Sequence, residues 1–485
     1  MFSLNIKPQY IPARYFSFCV LLTVLLVTLS IRSLQGELFI TDAQYMVAAG
    51  RWIIANGHLP TTDPLSIHSE LTYICQQYPI CILVAVLYDT FGEMSVRLFF
   101  ALLDMVAVLF IWYQTFPKAG NRILHCAVSC VFGAVIVYSL RSTPRALDIL
   151  CLAVSWELME KYIESRDIRF LFGFPFLGIF IANLHGALWP CAIMLPLAAL
   201  LDSKLDSNAR IALAVTVLLT IASAMLNPYG LDVLSLPFKT IGTSDVATVA
   251  VPELKPMFSI VPGEAVILIV ISVVPVIFHA KCLGFKKAVF SFETMMISGL
   301  LFLSLMTWRN ELLLLGILMI VYSTWCWKLE PKCKVSSKML SRIVLFSISV
   351  VALEFGAVLF YSTLSATDQK SISIERAFQA MREDGAVSGT AVLTDIDPGC
   401  RAELNGFKPY LDTRIEVFNG QKNVLAEAGK ALSSGSLSAI CDDYGMDYAV
   451  LNYGINDVGI QDLKESGFKP VYSDNLTVCL KRGAV

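Results

Sequence analysis

ELFITDAQYMVAAGRWIIANGHLPTTDPLSIHSELTYICQQY, residues 37–78, is a polar interval in an otherwise apolar chain. It gathers Asp42, Arg51, His58, Asp63, His68 and Glu70 directly behind the first long apolar run, residues 16–31. Lys7 and Arg14 precede that run and no small-residue cleavage site follows it, so the pattern predicts an uncleaved first membrane span. The polar interval is then a loop on the far side of the membrane, and the N-terminus is cytoplasmic.

The whole composition agrees. Of 485 residues, 56% are hydrophobic and only 16% are charged, with a mean hydropathy of +0.66. Soluble domains carry about 25% charged residues, so the chain reads as a polytopic α-helical membrane protein. Most of the thirteen cysteines, such as Cys126, Cys130, Cys151 and Cys191, lie inside apolar runs and act as small hydrophobes. Cys400, Cys441 and Cys479 fall in the tail, where one disulfide is left open. No basic patch with interleaved aromatic residues points to nucleic acid.

Apolar runs approaching the roughly 20 residues of a span recur near 16–33, 74–91, 97–115, 123–140, 146–160, 170–184, 187–201, 210–226, 263–280, 290–307, 310–327 and 342–363. Allowing for loose boundaries, about 11–13 spans are expected, with the segment 73–122 the least certain in its number of crossings. The connectors richest in Lys and Arg (161–169, 202–210, 280–287 and 328–338) are assigned to the cytoplasm. Residues 1–364 are thus expected to form the membrane domain, with a first outer loop at 35–73 and a second, proline-broken one at 227–262. Residues 365–485 alternate helical and strand periods and predict a small extracytoplasmic α/β domain.

Within the opening stretch, TDAQYMVAAGRWIIANG is expected to be an amphipathic surface helix stopped by Gly57, and TTDPLS a turn. An acidic residue soon after the first span, followed by G-x-x-P-x-x-D-P-x-S, resembles the GT-C superfamily of polytopic glycosyltransferases, particularly a poorly characterised bacterial branch. Further short motifs carry the resemblance along the chain: Arg141 with Pro144, Asn183 to Gly186, Asn227 to Gly230, Trp308 to Asn310, and Tyr410, Asp412 and Arg414.

The resemblance implies a GT-C-like bundle that transfers a sugar from a polyprenyl-phosphate carrier to an acceptor on the outer face. The partners it implies are a polyprenyl-phosphate-linked sugar, membrane lipid and an extracytoplasmic glycan, lipid or protein acceptor. It makes Asp42 the candidate base, since an attacking hydroxyl needs a proton acceptor; a helix cap is the other role open to it. Asp63 is the second candidate carboxylate, with a turn-forming role equally open.

Arg141, Arg145 and Arg309 adjoin apolar spans, where an unpaired cation is unfavourable, and would suit a lipid phosphate. Snorkelling, or pairing with Glu311 or Asp148, is the alternative. His58, His185 and Asn183 complete the candidate substrate-binding set, although His185 and Asn183 sit where a polar pair bonds across helices. No D-x-D pair is present, no cofactor is specified, and a divalent metal stays open. The reading from another class is a non-catalytic membrane scaffold, or a lipid or solute transporter, whose outer domain binds a partner.

Overall fold

A computed structural model describes residues 11–34, 41–140, 143–240, 252–325, 337–363, 368–418, 424–454 and 456–483. The chain divides into two compact units. The first comprises Met1–Leu34, Phe100–Gly230 and Glu253–Leu364; the second comprises Gln35–Phe99, Leu231–Pro252 and Ser365–Val485. The last helix of the first unit closes at Thr363, next to the expected boundary. The opening polar stretch and the tail, far apart in sequence, belong to the same unit.

The first unit is a helical bundle. Among the described residues of the whole chain, five helices are long and apolar enough to cross a membrane: Ala13–Ser33, Glu93–Lys118, Arg122–Ser139, Ser207–Ala224 and Pro262–Leu283. Five shorter apolar helices accompany them: Tyr78–Phe91, Ile168–Leu184, Gly186–Ala199, Phe292–Met306 and Val344–Leu353. The neighbouring windows 170–184 and 187–201 form two short helices, Ile168–Leu184 and Gly186–Ala199, that meet at His185. The uncertain segment 73–122 forms two helices, Tyr78–Phe91 and Glu93–Thr115, separated at Gly92, whose φ of 76° suits glycine.

Several polar side chains inside the bundle are tied to one another, which offsets the unfavourable burial of polar groups away from water. Arg32 reaches Asp104 at 3.0 Å, both fully buried. Asn183 Nδ2 donates to Leu226 O at 3.1 Å, and Asn227 Nδ2 donates to Ala182 O at 2.8 Å, tying two helix ends together.

In the second unit the tail forms a five-stranded sheet of order β2-β1-β3-β5-β4. The strands are β1 (Ala391–Thr394), β2 (Lys408–Pro409), β3 (Tyr448–Asn452), β4 (Phe468–Ser473) and β5 (Thr477–Arg482). β1 runs parallel to β2 and β3, while β5 is antiparallel to both β3 and β4. The alternation of helix and strand periods in the sequence is therefore realised as an α/β layer. Helix Asp368–Glu383 places Ile374, Ala377, Phe378 and Met381 against Val392, Val450 and Cys479 of the sheet, an i, i+3, i+4, i+7 stripe. Cys400, Cys441 and Cys479 are free, buried thiols.

Helix Thr41–Asn56 also belongs to this unit and departs from the surface helix expected of it. Residues 43–50 are all buried, and it packs on Tyr78–Phe91 and on helix Ile396–Leu404. Gly50 makes the first contact so close that a Cβ there would lie 1.9 Å from Cys81 O. Helix Ile396–Leu404 carries Pro398 and Gly399 and gives little helical signal in the sequence. Its Gly399 sits where a Cβ would lie 1.8 Å from Leu411 O.

Candidate functional site

The second unit centres on Arg414, which is 1% exposed. Its Nη1 donates to Asp63 Oδ1 at 2.6 Å, and its Nη2 to Glu403 Oε1 at 2.7 Å and to Asp412 Oδ2 at 2.5 Å. The guanidinium also lies over the Tyr73 ring, 4.8 Å from its centroid. Asp63 organises its own turn: its Oδ1 accepts from Leu65 N at 3.1 Å and its Oδ2 from Ser66 Oγ at 2.5 Å. Burial pushes the Asp63 carboxyl up, but the Arg414 charge and these hydrogen bonds outweigh it and hold the group below its ordinary value. Burial pushes the Glu403 carboxyl well up, with the Arg414 charge opposing it and the neighbouring Asp412 adding to it.

The other candidates of the opening stretch sit apart from this cluster. Asp42 is half-buried and lies inside the first helical turn, where the helix dipole favours a carboxylate. It and Glu416 both lie close enough to act on the buried Tyr45, whose hydroxyl accepts from Gln77 Nε2 at 2.5 Å. His58 is exposed, its ring against Trp52 at 5.2 Å. His68 is buried between Tyr410, Phe418 and Tyr444 and bonds to Tyr410 O at 3.1 Å through Nε2.

In the first unit, three of the predicted residues come together. His185, the C-cap of Gly173–Leu184, directs Nδ1 to Asp148 at 2.8–2.9 Å, and both side chains are buried. Arg145 and Arg309 lie close enough to act on that carboxylate. Arg145 Nη2 is held by Glu253 at 2.5 Å, yet its Nε is buried with no partner among the described residues. Arg309 sits in the single turn Trp308–Asn310, fixed on one side by Trp308 Nε1 donating to Glu311 Oε2 at 2.8 Å. Asn183 is engaged in the helix-to-helix bonds described above, and Arg141 lies outside the described residues. No cluster of three or more metal-ligand side chains occurs among the described residues.

No protein-family model matches the chain, and no curated protein does. Solved structures do. The Archaeoglobus fulgidus oligosaccharyltransferase, crystallised with a tethered acceptor peptide containing an NVT sequon, superposes with a TM-score of 0.59 at 11% identity, over 97% of this chain and 74% of that one. ArnT from Cupriavidus metallidurans, bound to undecaprenyl phosphate, superposes with a TM-score of 0.52 at 13% identity, over 96% of this chain and 97% of that one. The chain has the GT-C fold. The GT-C likeness therefore extends over almost the whole chain, helical bundle and tail together, as the scattered short motifs implied.

Two features of this chain escaped sequence reasoning. Asp148 attracted notice only as a partner for arginine, because a lone Asp at a helix start is an ordinary capping or first-turn residue. Glu403 carried no signal in its weak helical segment. The Asp412–Arg414 proximity was visible, but the third partner, Asp63, is 351 residues away.

Proposed function

We propose that this chain is a membrane glycosyltransferase that moves a sugar from a polyprenyl-phosphate donor to an extracytoplasmic cell-envelope acceptor. The acceptor hydroxyl attacks the anomeric carbon, the bond from that carbon to the phosphate oxygen breaks, the polyprenyl phosphate leaves with the bonding electrons, and the hydroxyl proton passes to Asp42. The observation that carries the reading is Arg145, a half-buried side chain whose buried Nε donor has no partner among the described residues, close enough with Arg309 to act on the Asp148–His185 pair. A phosphate oxygen is the acceptor such a donor lacks, and a planar fork grips it directionally. That the GT-C fold of ArnT holds undecaprenyl phosphate supports the same ligand class here.

Asp42 is given the base role because it is the acidic residue behind the first apolar span that the GT-C resemblance points to, and it is half-buried in the first turn of helix Thr41–Asn56. Asp63, with both oxygens engaged by Arg414, is given a positioning role instead. His185 orients against Asp148, and His58 has no assigned step. Purified protein incubated with polyprenyl-phosphate-linked radiolabelled sugars and a cell-envelope acceptor fraction should release polyprenyl phosphate and label the acceptor. Asp42→Asn should lower that rate about 10²–10⁴-fold, the usual weight of a general base. Near-normal transfer by the variant would remove Asp42 as the base, and failure with every donor would remove the donor class.

A further inference from the structure

The tail contains a cavity of about 230 Å3 that the transferase reading does not use. It opens at the carboxyl ends of β1 and β3, and the strand order explains why. The connection leaving β1 runs to β2 on one side, whereas the one leaving β3 runs to β4 and β5 on the other. The two loops diverge and leave a crevice between them, the position at which open α/β sheets take up ligands.

The walls are largely aliphatic, with Leu393, Leu425, Leu432, Leu437 and Leu451. The polar lining comes from the diverging loops: Asp395 and Asp397 after β1, and Asn452 and Asn456 at and after the end of β3. Asp395 accepts from Asn456 Nδ2 at 2.6 Å and from Asn452 Nδ2 at 3.3 Å. Asn456 is 1% exposed, and its Nδ2 is used again on Asn452 O at 2.9 Å. Its Oδ1 is left buried with no partner among the described residues. Lys370, at the rim, is already tied to Asp397 at 2.7 Å.

The unmet capacity is thus one buried acceptor, Asn456 Oδ1, beside two carboxylates and one lysine. We propose that this cavity binds a small aliphatic amine, its ammonium group donating to Asp395 and Asn456 Oδ1 and its hydrocarbon stem lying on the leucines. The titratable groups around Asp395 are Asp397 on its own loop, Lys370 of helix Asp368–Glu383 and Tyr410 after β2. Burial first, then the charge of Asp397, pushes the Asp395 carboxyl up to about 6. An ammonium ion opposes both effects, so it binds the ionised form and affinity falls as Asp395 takes up its proton.

Calorimetric titration of the full-length protein in detergent with n-hexylammonium chloride tests this. Saturable binding is expected, at least tenfold tighter than for n-hexanol and absent for hexanoate. With a carboxyl near 6, affinity should drop about fourfold between pH 7.5 and 5.5, a readout that needs no variant. Asp395→Asn should weaken binding at least tenfold, and Ala428→Trp, which fills the cavity, should abolish it. No saturable heat, equal binding of hexanol, or heat unchanged by Ala428→Trp would overturn the assignment, the last by showing that the amine had merely entered the micelle.

Discussion

Arg414→Met removes the one cation from a cluster of three buried carboxyl groups, Asp63, Glu403 and Asp412. Burial already pushes the Glu403 carboxyl well up, and Asp63 and Asp412 lose their cationic partner. Each must then stay charged in the interior or take up a proton. At pH 7, holding neutral an aspartate of ordinary pKa, about 3.9, costs about 4 kcal/mol. Measured deletions of one partner from buried ion pairs fall at about 3–5 kcal/mol, a large part of the 5–15 kcal/mol that holds a domain together.

The pH dependence has a definite sign. In the wild type the folded Asp63 carboxyl lies below its ordinary value, so its stabilisation is present above that ordinary value and is lost only as pH falls through the folded one. In the variant the Arg414 charge that outweighed burial is gone and only the Leu65 and Ser66 hydrogen bonds still oppose it, so the folded value rises; the carboxyl opposes folding at neutral pH and stops opposing it as acid protonates it. The gap between the two proteins should be widest near pH 7 and should narrow toward pH 4.5. Amide exchange of the full-length protein in detergent, read over residues 61–73 and 396–418, should show protection falling roughly 10²–10³-fold in Arg414→Met. The Asp63→Asn, Arg414→Met double variant should recover part of it. Protection reduced less than about fivefold, or a gap that does not change with pH, would refute the account of the cluster.

Gly50→Ala and Gly399→Ala each push a methyl group into a backbone carbonyl, of Cys81 and Leu411 respectively; each should destabilise the second unit by about 2–4 kcal/mol, seen as earlier proteolytic cleavage of the tail, and wild-type resistance would contradict the packing. His185→Ala leaves Asp148 buried and unpaired, and should lower thermal stability by about 2–3 kcal/mol, with His185→Asn recovering some of that; equal melting of the three proteins would count against the pair. Cysteines introduced at Glu465 and Lys204 should be labelled oppositely by an impermeant maleimide on intact cells, Glu465→Cys reacting and Lys204→Cys not, as the proposed outer placement of the tail and the basic-connector rule require. The reverse pattern would invert the assigned orientation.

The helical bundle and the α/β tail were legible because each rests on hydrophobic period and length, which any window of sequence displays. Strands β1, β3, β4 and β5 fall on the runs TAVLTD, DYAVLNY, KPVYSD and LTVCLKR. Helix Thr41–Asn56 was legible as a helix but not as a buried one, because Asp42 and Arg51 mark a polar face while the packing of Gly50 on Cys81 O is a matter of partner, not of pattern. The Asp63–Arg414 pair was illegible for the same reason: sequence shows a turn carboxylate and a tail arginine, and only the chain's return brings them to 2.6 Å. In the bundle, the arginines flanking spans were readable through the unfavourable burial of unpaired charge, and Arg145 and Arg309 do lie together about Asp148. Asp148 was readable, with Glu311, as an alternative partner for them, but its pairing with His185 was not, since that depends on how helix ends meet.

Binding of undecaprenyl phosphate to the purified protein, followed by native mass spectrometry or calorimetry, tests the central claim most directly. Wild type should bind it, and Arg145→Ala and Arg309→Ala should each weaken binding about 10–100-fold, the loss expected for about 1.5–3 kcal/mol of charge-assisted hydrogen bonding. Undiminished binding by both variants would contradict the assignment of these arginines to the lipid phosphate.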